Sequence, residues 1–445
     1  MMTGRSTRCV QLAAVAALAF ILRSMWLLRS GSDWAVGSDS HLYLALARGI
    51  RQGCGFAAFD GICRVPEVMR TPGYPLFLVP FLEHYKLAIL AQAVLGALVC
   101  VYVAKFSTRR GDSLAGILAA LLVAVDVPTI LNSKELITEA LFQAVLTPAI
   151  LSALDGSVLV GGAMLGVAAL IRPVGEVLVP LIAIPFCAAG NWRRAAMALV
   201  LPLLIVACWA IRNDRVAGVL TLTVEGPMNL YLYTAPAVIA RHDNISAHDA
   251  RSSFDRELHA RTSNASGQTA EPPAAYGHEP TVWMLESDPT LANFMLSKSM
   301  SVIARHPFDT AAITVEGLAP LAFAPYVLES GWRGFVTNPR VVTALRFAST
   351  AFQIVMLAAL WLGVLLALID SPRDIERWIL LAAAILALLP AAPYVGMISI
   401  RYRAPAIPFL AVLAGIGISP RLRPAAQPNN NPRGGDETNS SFNRS

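Results

Sequence analysis

Leu87–Phe106 reads LAILAQAVLGALVCVYVAKF, a run in which Gln92 and Lys105 are the only strongly polar side chains. A bilayer hydrocarbon core about 30 Å thick needs about 20 apolar residues of helix to cross it, and this run supplies them. It closes on Lys105, Arg109 and Arg110, the mark of a cytoplasmic loop. Nine comparable runs lie on either side of it: Val10–Leu28, Leu114–Leu131, Leu136–Leu154, Val158–Ile171, Val174–Ala189, Ala195–Ile211, Ser349–Ile369, Trp378–Met397 and Ala404–Ile418. The whole chain agrees with them. Of its 445 residues 56% are hydrophobic and 14% charged, against roughly 25% charged in a soluble domain. A soluble enzyme, a disordered chain and a disulfide-stapled miniprotein are excluded. The net charge of +6 reflects basic loops rather than nucleic-acid binding, and no internal repeat is evident. The class is an all-α polytopic integral membrane protein with about ten transmembrane helices.

Basic residues in short loops set the orientation. Arg5 and Arg8 precede the first run, Arg193 and Arg194 follow the sixth, and Arg421 and Arg423 follow the last. All fall on the cytoplasmic side, with Lys105, Arg109 and Arg110, if the chain crosses ten times and Ala311–Leu328 does not cross. That stretch is apolar but interrupted by Glu316, Pro320 and Pro325, and a re-entrant or interfacial helix is expected. If it crosses, the last part inverts. The first run carries Arg23 and no small-x-small site follows it, so cleavage as a signal peptide is not expected. The expected organisation is an N-terminal transmembrane module over 1–211 with a first outer loop at 29–86, a second outer region over 212–346 holding the 311–328 helix, C-terminal transmembrane helices over 347–418, and a disordered cytoplasmic tail over 419–445. Arg241 to Glu286 is polar, and part of it is expected to be a mobile loop.

This topology collects the unusual polar groups on the outer face. Asp39, in Gly37-Ser38-Asp39-Ser40-His41-Leu42-Tyr43, reads either as a helix N-cap or as a general base beside a dry interface. Arg70-Thr71-Pro72-Gly73-Tyr74-Pro75 makes a rigid turn whose arginine could reach a phosphate. Glu135 and Glu139 stand four apart, on one helix face. Glu139 lies inside an apolar run, where an acid is costly and is either functional or paired with an arginine. Arg172-Pro173 separates two short runs, and a break at membrane depth needs protein or water around it. Arg212-Asn213 closes the seventh run, where an arginine often snorkels to headgroups, and Thr223–Leu230 reads as a turn. Arg401-Tyr402-Arg403 precedes the last run. Two arginines at i and i+2 beside a bilayer either anchor headgroups or grip a phosphate bidentately. Together these groups have the polarity that a polyprenyl-phosphate sugar donor needs: arginines for the phosphate, a carboxylate for the acceptor proton.

Cys100, Cys187 and Cys208 lie in apolar runs, where a thiol behaves as a small hydrophobe. Cys54 and Cys63 share the first outer loop, where an oxidising compartment permits a disulfide. No Cys/His set has zinc spacing. The histidines are scattered, and His306-Pro307 marks a helix start.

In chain order these pieces resemble the GT-C glycosyltransferases of the bacterial family 39 type, relatives of protein O-mannosyltransferases and of the aminoarabinose transferase that acts on lipid A. The pieces are Asp39 with Tyr43, Arg70-Thr71-Pro72-Gly73-Tyr74-Pro75, Thr138-Glu139, Arg172-Pro173, Trp209–Asn213 with Gly226 and Asn229-Leu230, and Arg401-Tyr402-Arg403. The resemblance spans the chain from first run to last. It implies a GT-C-like fold whose outer loops carry short helices, and sugar transfer from a polyprenyl-phosphate donor at the periplasmic face of the inner membrane. Asp39 would be the general base and Glu139 would position sugar or acceptor. Arg70, Arg172, Arg212, Arg401 and Arg403 would contact phosphate or headgroup, with Tyr43, Tyr74, Asn213 and Tyr402 in support. Asp39 is followed by Ser40-His41 rather than a second carboxylate, so no metal is expected, nor any other cofactor. The partners implied are the lipid-linked donor, membrane lipids and a glycolipid, polysaccharide or protein acceptor, with no nucleic acid. The rival reading is a transporter or flippase, which would place broken helices and polar groups at the midplane.

Overall fold

A computed structural model describes residues 2–28, 35–263, 288, 290–326, 338–393 and 400–422. Among the described residues the chain is almost wholly helical, with one short antiparallel hairpin, Ala57–Phe59 against Cys63–Pro66. Five helices among the described residues are long and apolar enough to cross a membrane: Cys9–Leu28, Tyr85–Arg110, Trp192–Ala217, Pro339–Asp370 and Arg401–Arg421. The chain is a multi-pass membrane protein. The expected tail beyond residue 422 lies outside the described residues.

The remaining apolar runs form shorter or broken helices, each for a local reason. Leu114–Leu131 is divided at Asp126, whose carboxylate caps the Val127–Asn132 helix by accepting from Thr129 N (3.0 Å) and Oγ1 (2.6 Å). Pro128 in its first turn suits a helix start and not a continuation. Val174–Ala189 breaks into Val174–Val177, a 3-10 turn Val179–Ala183 and Ile184–Ala188, with Pro180 and Pro185 at the new starts. The fourth run becomes helical only at Thr138, so Glu135 does not share a helix face with Glu139. Gln92 accounts for that. Its amide donates to the carbonyls of Ser133 (3.0 Å) and Glu135 (2.9 Å), while Tyr74 donates to its oxygen (2.8 Å). The stretch before Thr138 is therefore held as a turn.

Among the described residues two large apolar cores result, beside a small cluster around Trp26 and Leu131. The larger fills the helix bundle. The smaller lies in a cap built from the Ser38–Arg51 helix, the hairpin, Glu225–His242, Ala247–Ser263, Leu291–Arg305 and the start of Pro307–Phe323. The described half of the polar Arg241–Glu286 stretch is thus helical as far as Ser263; its apolar faces go into the cap through Phe254 and Leu258. The Ser38–Arg51 helix serves both cores. Tyr43, Leu44 and Ala47 face the bundle, while Leu42, Ala45 and Leu46 face the cap.

Charge inside the bundle is solvated locally. Arg23, fully buried, donates to the carbonyls of Ala19, Val123 and Ala124 at 3.1, 2.9 and 3.0 Å. Val123 and Ala124 end the Ser113–Val125 helix, whose dipole is negative there. Gly96 faces this guanidinium, and a Cβ at that position would collide with it. At the other end of the bundle Arg110 pairs with Asp155 (2.7 Å) and with Glu376, and Arg421 pairs with Asp370 (2.6 Å). The Pro307–Phe323 helix packs Gly317 against the Ala392 carbonyl. Its C-terminal end is fixed by Trp361, donating to Ala322 O (3.0 Å), and by Arg403, donating to Ala324 O (2.7 Å).

Candidate active site

The site begins at the N-terminus of the Ser38–Arg51 helix. Gly37 is its N-cap, and Gly37 N donates to Ser40 Oγ at 3.0 Å. Asp39 therefore does not cap the helix. It sits within the first turn, its carboxylate turned to two arginines: Oδ2 is 3.1 Å from Arg401 Nη2, and Oδ1 is 3.4 Å from Arg70 Nη2.

Arg70 is placed by its own loop. Glu67, buried, accepts from Met69 N (2.6 Å) and Arg70 N (2.9 Å). The turn that follows docks on the bundle, with Thr71 Oγ1 donating to Ile171 O (3.2 Å) and Gly73 so close to Leu170 O that a Cβ would force them apart. A second loop is stitched alongside. Thr223 Oγ1 donates to Met69 O, Val224 N donates to Val68 O (3.2 Å), and Glu225 N donates to Thr223 Oγ1 (3.0 Å). This brings Glu225 to 2.7 Å from Arg70 Nη1. Glu225 is a site residue that the sequence reading took for part of a plain turn.

The inner half of the site is built on Glu139, in the first turn of Thr138–Leu154, with its side chain 2% exposed. Its Oε1 lies 2.8 Å from Arg172 Nη1 and 3.5 Å from Arg401 Nε. Arg172 reaches it because Pro173 disfavours helical backbone in the preceding residue. The Val158–Ile171 helix accordingly ends with Arg172 extended, at φ −141° and ψ 130°. Arg172 Nη1 also donates to Thr138 Oγ1 (2.9 Å). Arg401 stands at the head of the last span in the 3-10 turn Ile400–Ala406, whose carbonyls at 401 and 404 accept from Asn132 (3.0 Å) and Gln143. Tyr402 lies between the two guanidiniums, 5.3 Å from Arg172 and 5.1 Å from Arg401 to its ring centre. Tyr43 underlies Arg70 at 5.6 Å and meets Tyr74 edge-on at 5.2 Å.

The outcome is a ladder of alternating charge: Glu225, Arg70, Asp39, Arg401, Glu139, Arg172. Its three acids all stand in the first turns of helices, where the positive dipole end favours a carboxylate. Asp39 is the more open of the two predicted carboxylates, 30% exposed against 2% for Glu139.

Two predicted arginines are elsewhere. Arg212 donates to the backbone carbonyls of Glu67 and Phe56 (3.1 Å) and to Asn213 Oδ1 (2.9 Å), and packs on Phe56 and Trp209. It braces the hairpin loop against the Trp192–Ala217 helix. Asn213 does similar work by donating to Thr221 O and Leu222 O at 2.9 and 3.1 Å. Arg403 points away from Arg401, fully buried, with Ala324 O as its hydrogen-bond partner and no ion pair within 4 Å among the described residues. Tyr74 is a buried brace through Gln92 rather than a group open to a ligand. Cys54 and Cys63 are joined in a disulfide across the hairpin.

Burial by itself would raise the Asp39 carboxyl, but Arg70 and Arg401 outweigh it and hold the group below the ordinary carboxylate range. A carboxyl whose folded value is depressed contributes stability that is present above its unfolded value, near 3.9, and is lost as pH falls through the folded one. The difference in melting temperature between wild type and Asp39→Asn should therefore be constant near neutrality and shift against the wild type as pH drops below about 4. Melting curves of purified protein across that range check it. A difference independent of pH would show that Asp39 is not held by these arginines.

No protein-family model matches the chain, and no curated protein does. Solved structures do. The archaeal oligosaccharyltransferase AglB from Archaeoglobus fulgidus, in complex with an inhibitory peptide and a dolichol-phosphate, aligns at a TM-score of 0.51 and 13% identity over 94% of this chain and 51% of its own. ArnT from Cupriavidus metallidurans, bound to undecaprenyl phosphate, aligns at 0.39 and 17% identity over 93% of this chain and 77% of its own. The chain spans about half the length of the oligosaccharyltransferase. Over that half it has the same fold.

Proposed function

We propose that this protein is a membrane glycosyltransferase that moves a sugar from a polyprenyl-phosphate donor to an acceptor hydroxyl. The observation that carries the proposal is the ladder itself. Arg70, Arg401 and Arg172 converge on two carboxylates at one end of the bundle, where a lipid-borne phosphate can reach them. Guanidinium pairs bind phosphate bidentately, and the oligosaccharyltransferase of like fold was solved with a dolichol-phosphate.

The two carboxylates have different tasks. Glu139 is buried and stays with Arg172, so it positions Arg172 and Arg401. Asp39 is open and faces the guanidiniums that a phosphate would claim. As Arg401 and Arg70 turn to the donor phosphate, Asp39 loses its partners and its basicity returns toward the ordinary carboxylate range. The acceptor hydroxyl then gives its proton to Asp39 while its oxygen attacks the anomeric carbon. The bond from that carbon to the phosphate oxygen breaks, its electron pair leaves with polyprenyl phosphate, and the configuration inverts. The acceptor is a glycolipid, a polysaccharide or a protein. A transporter would need charged groups near the midplane, whereas the ladder residues stand at helix ends or, for Arg70, in a loop before one.

We place this end on the outer face of the inner membrane, with ten crossings. The Pro307–Phe323 helix stays at the ladder end, since its first turn meets His242 and its last meets Arg403. A reporter fused after Arg421 should then read cytoplasmic; an outward reading would overturn this orientation. In membranes supplied with a panel of polyprenyl-phosphate sugars, Asp39→Asn should lower transfer by about 10²- to 10⁴-fold, the usual worth of a general base, with insertion unchanged. Full activity in that variant would refute the mechanism.

A further inference from the structure

Away from the ladder, two histidines and an aspartate meet where two cap helices end. His242 is the last residue of Ala235–His242, and His306 is the N-cap of Pro307–Phe323, whose first turn carries Asp309. His242 Nδ1 lies 3.1 Å from Asp309 Oδ2, and the two imidazole rings are 4.0 Å apart, centre to centre. One ligand atom from each of the three residues lies within 4.8 Å of the others.

We propose that His242, His306 and Asp309 bind a divalent transition-metal ion of the zinc class, which ties the end of one cap helix to the start of the other. Two imidazoles and one carboxylate form the borderline donor set that such ions favour over the oxygen-only sets of magnesium and calcium. Ligand bonds of 2.0–2.2 Å in a tetrahedron put the ligand atoms about 3.4 Å apart. The His242–Asp309 separation is close to that already, and a rotation of the partly exposed His306 ring brings in the third. The surroundings complete the site. Asp309 Oδ1 faces Arg241 Nε at 3.6 Å, which orients the carboxylate so that Oδ2 is left for the ion. Arg241 is itself offset by Glu316 at 2.6 Å. With neutral imidazoles the group carries one net negative charge, while the carbonyl end of the Ala235–His242 helix and the N-terminus of Pro307–Phe323 offset each other. The fourth position is open to water.

The competing state is a bare ion pair between protonated His242 and Asp309. The test uses full-length protein in detergent, stripped with EDTA and titrated with Co²⁺, whose d–d absorption reports tetrahedral nitrogen ligation, and with Zn²⁺ during thermal melting. The wild type should take up one equivalent and melt higher with zinc, because an ion bound only by the folded chain stabilises it. His242→Gln and His306→Gln keep side chains that can hydrogen-bond and should melt like the wild type in EDTA. Each should bind Co²⁺ at least about tenfold more weakly and lose the zinc shift. Asp39→Asn should bind the ion as the wild type does, which separates this site from the ladder. One equivalent retained by a His242→Gln/His306→Gln double variant, an equal zinc shift in wild type and variants, or no uptake by the wild type would each overturn the proposal.

Discussion

A carboxylate buried in a helix bundle stays ionised only with a cation beside it, and Glu139 imposes that condition on this protein. Its partners come from two distant places: Arg172 at the end of one bundle helix and Arg401 at the head of the last span. Arg172 reaches the acid because Pro173 stretches the backbone before it. Arg401 reaches it because Asn132 and Gln143 hold the 3-10 turn by its carbonyls. Arg401 in turn holds Asp39, and Asp39 with Glu225 holds Arg70. Bundle and cap are thus tied at their seam by one alternating chain of charge. Removing one acid would leave an arginine uncompensated, so the arrangement can stand as a unit or accept another anion.

That second option gives the ladder a chemical use. At rest each guanidinium is occupied by a carboxylate and Asp39 is a weak base. Under the proposed function, a phosphate entering from the membrane would compete for Arg401 and Arg70, and its binding would free the carboxylate that the acceptor needs. Base strength and donor occupancy would then be coupled, which would keep the base weak until the leaving group is in place.

Much of this was legible because charge is scarce in the sequence. Asp39, Glu139, Arg70, Arg172 and Arg401 stand out against apolar surroundings, and the structure brings them together. The apolar runs were legible from length alone, but their breaks were not. Asp126 with Pro128, and Pro180 with Pro185, end helices inside stretches whose mean polarity is low. Arg212 and Arg403 stand outside the ladder because their partners are backbone carbonyls of Glu67, Phe56 and Ala324, which leave no trace in side-chain chemistry. Glu225 was missed for the converse reason. Only tertiary hydrogen bonds from Thr223 and Val224 to the Val68–Met69 backbone carry it to Arg70. His242 and His306 likewise belong to different helices, and no spacing rule pairs them.

The most direct measurement of the central claim is the affinity of purified protein for a short-chain polyprenyl phosphate, compared among wild type, Arg401→Gln and Asp39→Asn. If phosphate and Asp39 compete for Arg401, the arginine variant binds at least about tenfold more weakly, as loss of a charge-assisted contact of about 1.5–3 kcal/mol requires, while the aspartate variant binds as tightly as wild type or tighter. Equal affinity in all three, or weaker binding in Asp39→Asn than in Arg401→Gln, would contradict it.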